Sequence, residues 1–229
     1  MHGNELLETL RTLPAGQPAA VILRHAARFP ITNQAEPHLA ELTPQGIADA
    51  EAFGARLQGF DCIRLFHSPV KRCQQTAEGI LRGAKKAGLS GEIVGPEETL
   101  GAGYIFDLNE AGRLAIQHGE HMVRLWLNGQ VPRSVMLTAV ELANEKLDYL
   151  LQRLREPCPH GRRLDLHVSH DWNILILREL LCTLRHEDVG WLNFLDGVAF
   201  TPSNDKLIVS YRDRVITGAL PWQFPAPAA

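Results

Sequence analysis

The chain has 229 residues, which at roughly 150 residues per domain suits one large domain or one domain carrying an insertion. Hydrophobic residues make up 45% and charged residues 21%, a balance that excludes disordered, collagen-like and coiled-coil chains. A net charge of −3 excludes a nucleic-acid binder that works through a broad basic face.

No apolar run approaches the roughly 20 residues of a membrane-spanning helix. The opening stretch, Met1 to Leu13, carries Glu5, Glu8 and Arg11 among its leucines and reads as a short amphipathic helix, not a secretory signal. A cytoplasmic location with no membrane partner is the expectation. Cys62, Cys73, Cys158 and Cys182 form no C-x-x-C pair and are too few for a disulfide scaffold, so reduced, mostly buried thiols are expected.

After a linker at Pro14–Pro18, the apolar run Ala19–Leu23 suits a strand covered on both faces. Thr43-Pro44 pairs an N-cap residue with proline at the first helical position, and the helix it opens is expected to end near Gly59. Cys62–Phe66 predicts a second strand, and Ser68-Pro69 predicts another capped helix, running to Lys86. From about 97 to 160 the texture becomes helical, with periodic stretches over Asn109–Asn128 and Ser134–Arg155 that read as an insertion. Leu164–Val168 alternates apolar and polar residues as a third strand. Asp171 is placed as N-cap of an apolar helix over Trp172–Thr183. Val198–Phe200 and Leu207–Tyr211 predict a hairpin, and the proline-rich tail from Pro221 is expected to be partly mobile. Strand, helix, strand, helix, excursion, strand, helix implies a three-layer α/β/α sandwich with a mainly parallel central sheet, one domain over 1–229 with a helical cap insertion at about 97–160. A ligand site is expected beyond the carboxyl ends of the strands.

The residues at those ends are basic or titratable. The first strand runs into Arg24-His25-Ala26-Ala27-Arg28-Phe29-Pro30, the second into His67-Ser68-Pro69-Val70-Lys71-Arg72, the third into Ser169-His170-Asp171. Arg24, Arg28 and Arg72 offer forked, permanently charged donors suited to tetrahedral oxyanions, and Arg72 falls in a first helical turn, where free N–H groups also favour an anion. Such cations disfavour a charged imidazole nearby, leaving His25 neutral and nucleophilic, so that a phosphohistidine intermediate is expected. Asp171 can protonate the departing oxygen and later accept a proton from water. The arginines beside it oppose protonation, so the acid role needs partial burial or a proton drawn from the substrate.

These residues resemble the histidine phosphatase superfamily. Arg24-His25-Ala26-Ala27-Arg28-Phe29-Pro30 matches R-H-G-x-R-x-P of its acid-phosphatase branch except at Ala26, Ser68-Pro69-x-x-Arg72 followed by Gln75-Thr76-Ala77 looks like the second arginine element, and His170-Asp171 looks like the His-Asp pair. The phosphoglycerate-mutase branch would instead want serine or threonine at 28 and asparagine at 31, where this chain has Arg28 and Ile31. The resemblance implies a phosphoglycerate-mutase-like fold, His25 as nucleophile, Arg24, Arg28, Arg72 and His170 as the phosphate pocket, and Asp171 as proton donor. Ala26 adds a methyl that costs activity if the backbone there needs a positive φ.

Other features read as structural. Leu184-Arg185-His186 repeats the Leu23-Arg24-His25 triplet without its context, and His118 and His121 around Glu120 lack a third metal ligand. Glu97 and Glu98 are reserve candidates for the acid, Trp126, Trp172 and Trp191 read as packing residues, and Arg113, Arg124 and Arg133 are either solvated or placed for a second anionic group. The reading is a metal-independent phosphomonoesterase needing no cofactor and acting on a phosphorylated small molecule. The alternatives are a phosphoryl-transfer mutase and a binding module without turnover.

Overall fold

The computed structural model describes residues 2–31, 37–157 and 161–219. In chain order it contains helix α1 (Asn4–Thr12), strand β1 (Ala19–Arg24), α2 (Pro44–Ala55), β2 (Cys62–His67), α3 (Lys71–Lys86) and β3 (Ser90–Pro96). Helices α4 (Leu108–His118), α5 (His121–Leu127) and α6 (Ala139–Leu154) follow. Then come β4 (Arg163–Ser169), α7 (Asp171–Cys182), the short α8 (His186–Val189), β5 (Gly197–Ser203), β6 (Lys206–Tyr211) and β7 (Arg214–Ala219).

The seven strands form one sheet in the order β3-β2-β4-β1-β5-β6-β7. The pairs β3–β2, β2–β4 and β4–β1 are parallel and make the core of the sheet, while β5, β6 and β7 extend it in antiparallel fashion. Successive side chains of a strand face opposite sides, and β1 shows the result. Ala19, Val21 and Leu23 join the apolar cluster that holds α1, α2 and α3, while Ala20 and Ile22 join the one that holds α4 to α7. The molecule is therefore three layers deep, with parallel strands covered on both faces.

The alternation in β4 has a different meaning from the one expected, since all seven of its residues are buried. Leu164, Leu166 and Val168 pack toward α2 and α3, and Asp165 and His167 face the other layer, where each finds partners. Asp165 accepts two bonds from Arg64 at 2.8 Å each and pairs with Arg163 at 2.9 Å. His167 shares a bond with the Tyr149 hydroxyl at 3.1 Å and stacks on Phe66.

Several boundaries differ from expectation for local reasons. Thr43 caps α2 as expected, its hydroxyl accepting from the Gly46 N–H at 3.0 Å, but the helix ends at Ala55. Helix α3 begins two residues late because Ser68 is not its cap. Its N–H extends the ladder to the Val168 carbonyl at 2.9 Å, and its hydroxyl meets His170 at 3.0 Å. Asp171 is the first residue of α7, not its cap, which is His170. The stretch 109–128 is two helices, because Gly119 takes φ +56 and ψ −136 and breaks the run between α4 and α5. Strands β3 and β7 went unread: both are half-exposed edges, one holding Gly91, Gly95 and Pro96, the other Gly218. Cys158 and the tail from Pro221 lie outside the described residues. Cys62, Cys73 and Cys182 are in no disulfide, and no helix among the described residues is long and apolar enough to cross a membrane.

Candidate active site

Three strand ends converge because the parallel ladder continues one residue past them. The His25 N–H donates to the Ser169 carbonyl at 3.1 Å, and the Ser68 N–H to Val168. Arg24 is further clamped to the antiparallel side, donating from its backbone to Asp196 and accepting from Leu195. The result is a cavity of about 370 Å³ lined by Arg24, His25, Arg28, Arg72, His170 and Asp171 together with Ile31, Pro37, Tyr104, Ile105 and Trp172. The six polar positions expected to share one site all border it. Glu97, Glu98, Arg113, Arg124 and Arg133 are not among the described lining residues. Glu97 instead pairs with Arg153, Arg113 with Glu110, Arg133 with Glu141, and Arg124 with Glu179 and Glu187.

The state of the two imidazoles follows from their partners. Arg72 Nε, which can only donate, lies 3.1 Å from His25 Nε2, so that nitrogen is the acceptor; Nδ1 is then the protonated one and donates to the Ala26 carbonyl at 2.8 Å. Burial first, then His170, Arg72 and Arg24, holds the His25 imidazole well below its ordinary protonation range. A neutral ring whose Nε2 is unprotonated and whose residue lines the cavity has the form that nucleophilic chemistry requires. His170 stands with its ring centroid 5.7 Å away. Its Nδ1 accepts from Arg72 at 3.3 Å, leaving Nε2 to donate to Ser68, and burial beside Arg72 pushes it down to about 3. The cations were expected to dominate these shifts, but desolvation is the larger cause in both.

Arg72 occupies the second residue of α3 and spends its third donor on the Pro37 carbonyl at 2.7 Å. Arg24 reaches Asp171 Oδ2 at 3.0 Å and the Leu192 carbonyl, lies over the Phe194 ring at 4.4 Å, and keeps its Nε buried without a partner. Burial lowers both Arg24 and Arg72, and Arg28 works against both in the same direction. Three guanidinium groups against one carboxylate leave the described lining with two positive charges uncompensated, the complement of a dianion.

Ala26 does not carry the feared strain, since its backbone is not among those with positive φ. Its methyl is fully buried, and its N–H donates to the Thr76 hydroxyl at 3.0 Å. Cys73, beside His170, is no rival nucleophile: burial pushes its thiol up to about 12.

Asp171 is held by three donors, Arg24, the Trp172 N–H at 3.0 Å and the Trp191 indole at 3.1 Å, both tryptophans having been read as packing residues. Trp191 and Phe194 arrive from the connection between α8 and β5 and had no signal in the sequence. The second Leu-Arg-His triplet lies behind them: His186 stands edge-on to Trp191 and is bonded to Glu179. Glu179, His186 and Glu187 form a group with metal-ligand spacing, and Arg124 is paired with both of its carboxylates; His118 and His121 join no such group among the described residues.

The arrangement is a phosphoglycerate-mutase-like α/β fold with a cavity lined by three guanidinium groups at the carboxyl edge of its sheet. Residues 21–90, which carry Arg24, His25, Arg28 and Arg72, match the model of the histidine phosphatase superfamily (branch 1), and the resemblance of the chain to that superfamily is shown. The branch that matches is the first, and the finer likeness to acid phosphatases is not carried by it. No curated protein matches in sequence. Among solved structures, a phosphoglycerate mutase from Bacillus anthracis superposes with a TM-score of 0.58 at 14% identity, covering 90% of this chain and 93% of that one. A mycobacterial glucosyl-3-phosphoglycerate phosphatase gives 0.55 at 17% identity over 90% and 99%. A protein described as mycobacterial hydrolase 2 gives 0.53 at 18% identity over 93% of each chain. At these identities the likeness is one of fold.

Proposed function

We propose that the chain is a phosphomonoesterase that hydrolyses a phosphorylated small molecule through a phosphohistidine on His25. The observation that carries this reading is the Arg72–His25 contact, which leaves Nε2 unprotonated at the mouth of a doubly positive cavity. A substrate phosphate that arrives as the monoanion draws Arg72, Arg28 and the unpartnered Nε of Arg24 onto its oxygens, with His170 beside them, and becomes the bound dianion as its proton passes to Asp171. His25 Nε2 attacks phosphorus, the bond to the leaving oxygen breaks, and that oxygen takes a proton from Asp171. Asp171 is held by three donors, and its proton comes from the monoanionic substrate as Arg24 turns toward phosphate. Water then attacks the phosphohistidine, Asp171 takes the proton, and the P–N bond breaks to release inorganic phosphate. The guanidinium groups supply the positive charge that offsets charge on the transferring phosphoryl group, so no metal is required.

The test is hydrolysis of an aryl phosphate in excess EDTA, with acid-labile, base-stable phosphoenzyme trapped by rapid quench. His25→Ala should lower kcat by at least about 10³-fold and abolish the adduct. Equal rates for the two proteins would end the proposal, and products formed only with an added phosphoryl acceptor would make the protein a mutase.

A further inference from the structure

We infer that the alcohol half of the substrate is an apolar, planar group that carries no second anionic charge; this rests on the phosphomonoesterase reading and names its substrate class. The cavity has two chemically distinct ends. Arg24, Arg28, Arg72, His25, His170 and Asp171 make the polar end, and the remaining described lining is Ile31, Pro37, Tyr104, Ile105 and Trp172. None of those five side chains carries a charge, so a carboxylate or second phosphate at that end would lose its water and find no counterion.

The arginines of the insertion that the sequence offered for a second anionic group are otherwise committed. Arg113, Arg124 and Arg133 are each paired with glutamates, and Arg153 is held by Glu97 and Glu156.

Two of the five, Tyr104 and Trp172, are aromatic, and both rings meet Trp126, that of Trp172 at a tilt of 40°. Trp126, itself buried and anchored by its indole N–H to the Leu137 carbonyl at 2.7 Å, stacks on Tyr104 with centroids 5.7 Å apart and planes 6° apart, and backs Trp172 at 5.9 Å. A fixed aromatic surface rewards a planar apolar ligand at little ordering cost. The apolar character continues along the chain next to the lining residues, where Phe29, Leu39 and Phe106 are all more than half exposed.

The test is calorimetric binding to the wild-type chain of two non-hydrolysable ligands, 2-naphthylmethylphosphonate and the same compound with a carboxylate at position 6. The plain phosphonate should bind at least about tenfold more tightly, since an unpaired charge would be buried with the second compound. In Trp172→Ala the difference between the two should shrink, and in Trp172→Phe it should persist. Equal binding of the two, tighter binding of the carboxylated ligand, or no binding of either overturns the inference. Because binding is read without turnover, a wild-type chain that shows the preference yet releases no phosphate would sink the catalytic reading alone.

Discussion

The Trp191 indole N–H meets Asp171 Oδ2 at 3.1 Å, on the oxygen that Arg24 also reaches at 3.0 Å. In the proposed reaction Arg24 swings toward phosphate, and the Trp191 indole and the Trp172 N–H are the donors that would still hold the Asp171 carboxylate in place. Trp191→Phe retains the ring that packs against His186 and removes only the donor. We expect kcat to fall about tenfold, the lower end of the value of a hydrogen bond to a charged group, with KM within about twofold. A fall in KM affinity with unchanged kcat would assign Trp191 to ligand binding instead.

Arg72 joins three groups that a lysine cannot join at once: His25 Nε2, His170 Nδ1 and the Pro37 carbonyl. Arg72→Lys keeps the charge and loses the planar fork. The expected result is a loss of about 10²-fold in kcat/KM, the size of removing one preorganised donor, together with weaker inhibition by inorganic phosphate. Steady-state kinetics with phosphate as inhibitor reads both.

Stability should fall in mild acid. His170 is held down to about 3, and His25 and His167 well below the usual imidazole range, with burial the first cause in each. The unfolded chain takes up these protons near pH 6.5, while the folded chain resists them until far lower pH. Unfolding therefore binds protons, and stability is fully present above about pH 6.5 and is lost as pH falls below it, by up to about 1.4 kcal/mol per pH unit for each histidine. Urea unfolding at pH 7 and at pH 4.5 checks this, and His170→Gln should flatten the dependence.

Helices α2 and α3 approach so closely that a Cβ on Gly83 would collide with the Glu51 carbonyl and sit 2.8 Å from the Ala55 nitrogen. Helix propensity favours alanine there by about 1 kcal/mol, but both neighbours are backbone and neither yields. Overpacking of this kind costs about 1–3 kcal/mol or more, so Gly83→Ala should lower Tm by several degrees. A rise in Tm would mean that the two helices part easily.

What could be read in advance and what could not divide along physical lines. Strand β1 announces itself as an unbroken apolar run because it is covered on both faces, β2 and β4 by the apolar residues spaced within them, and residues following parallel strands necessarily meet at one edge of the sheet. That is why Arg24, Arg72 and His170 were found together from sequence. Edge strands β3 and β7 bury little, so nothing in their residues demanded a strand. Trp191 and Phe194 reach the site from a connection with no periodicity, some twenty residues beyond Asp171, and only the tertiary path of the chain brings them there. The polar residues of β4 misled for the opposite reason: alternation normally signals one wet face, but Asp165 and His167 are sealed in with Arg64, Arg163 and Tyr149.

The buried methyl of Ala26 has a practical corollary. It packs in the same apolar cluster as Cys73 and Ala77, so the imidazole at position 25 is mounted on solid hydrocarbon, whereas Tyr104 and Ile105 hang from the connection between β3 and α4. An engineer wishing to redirect such a scaffold should randomise positions 31, 105 and 172 and leave 26, 73 and 77 untouched. In the phosphatase proposed here, taste in the alcohol and command of the phosphoryl group would be carried by separate parts of the molecule, so that the first could drift while the second stands still.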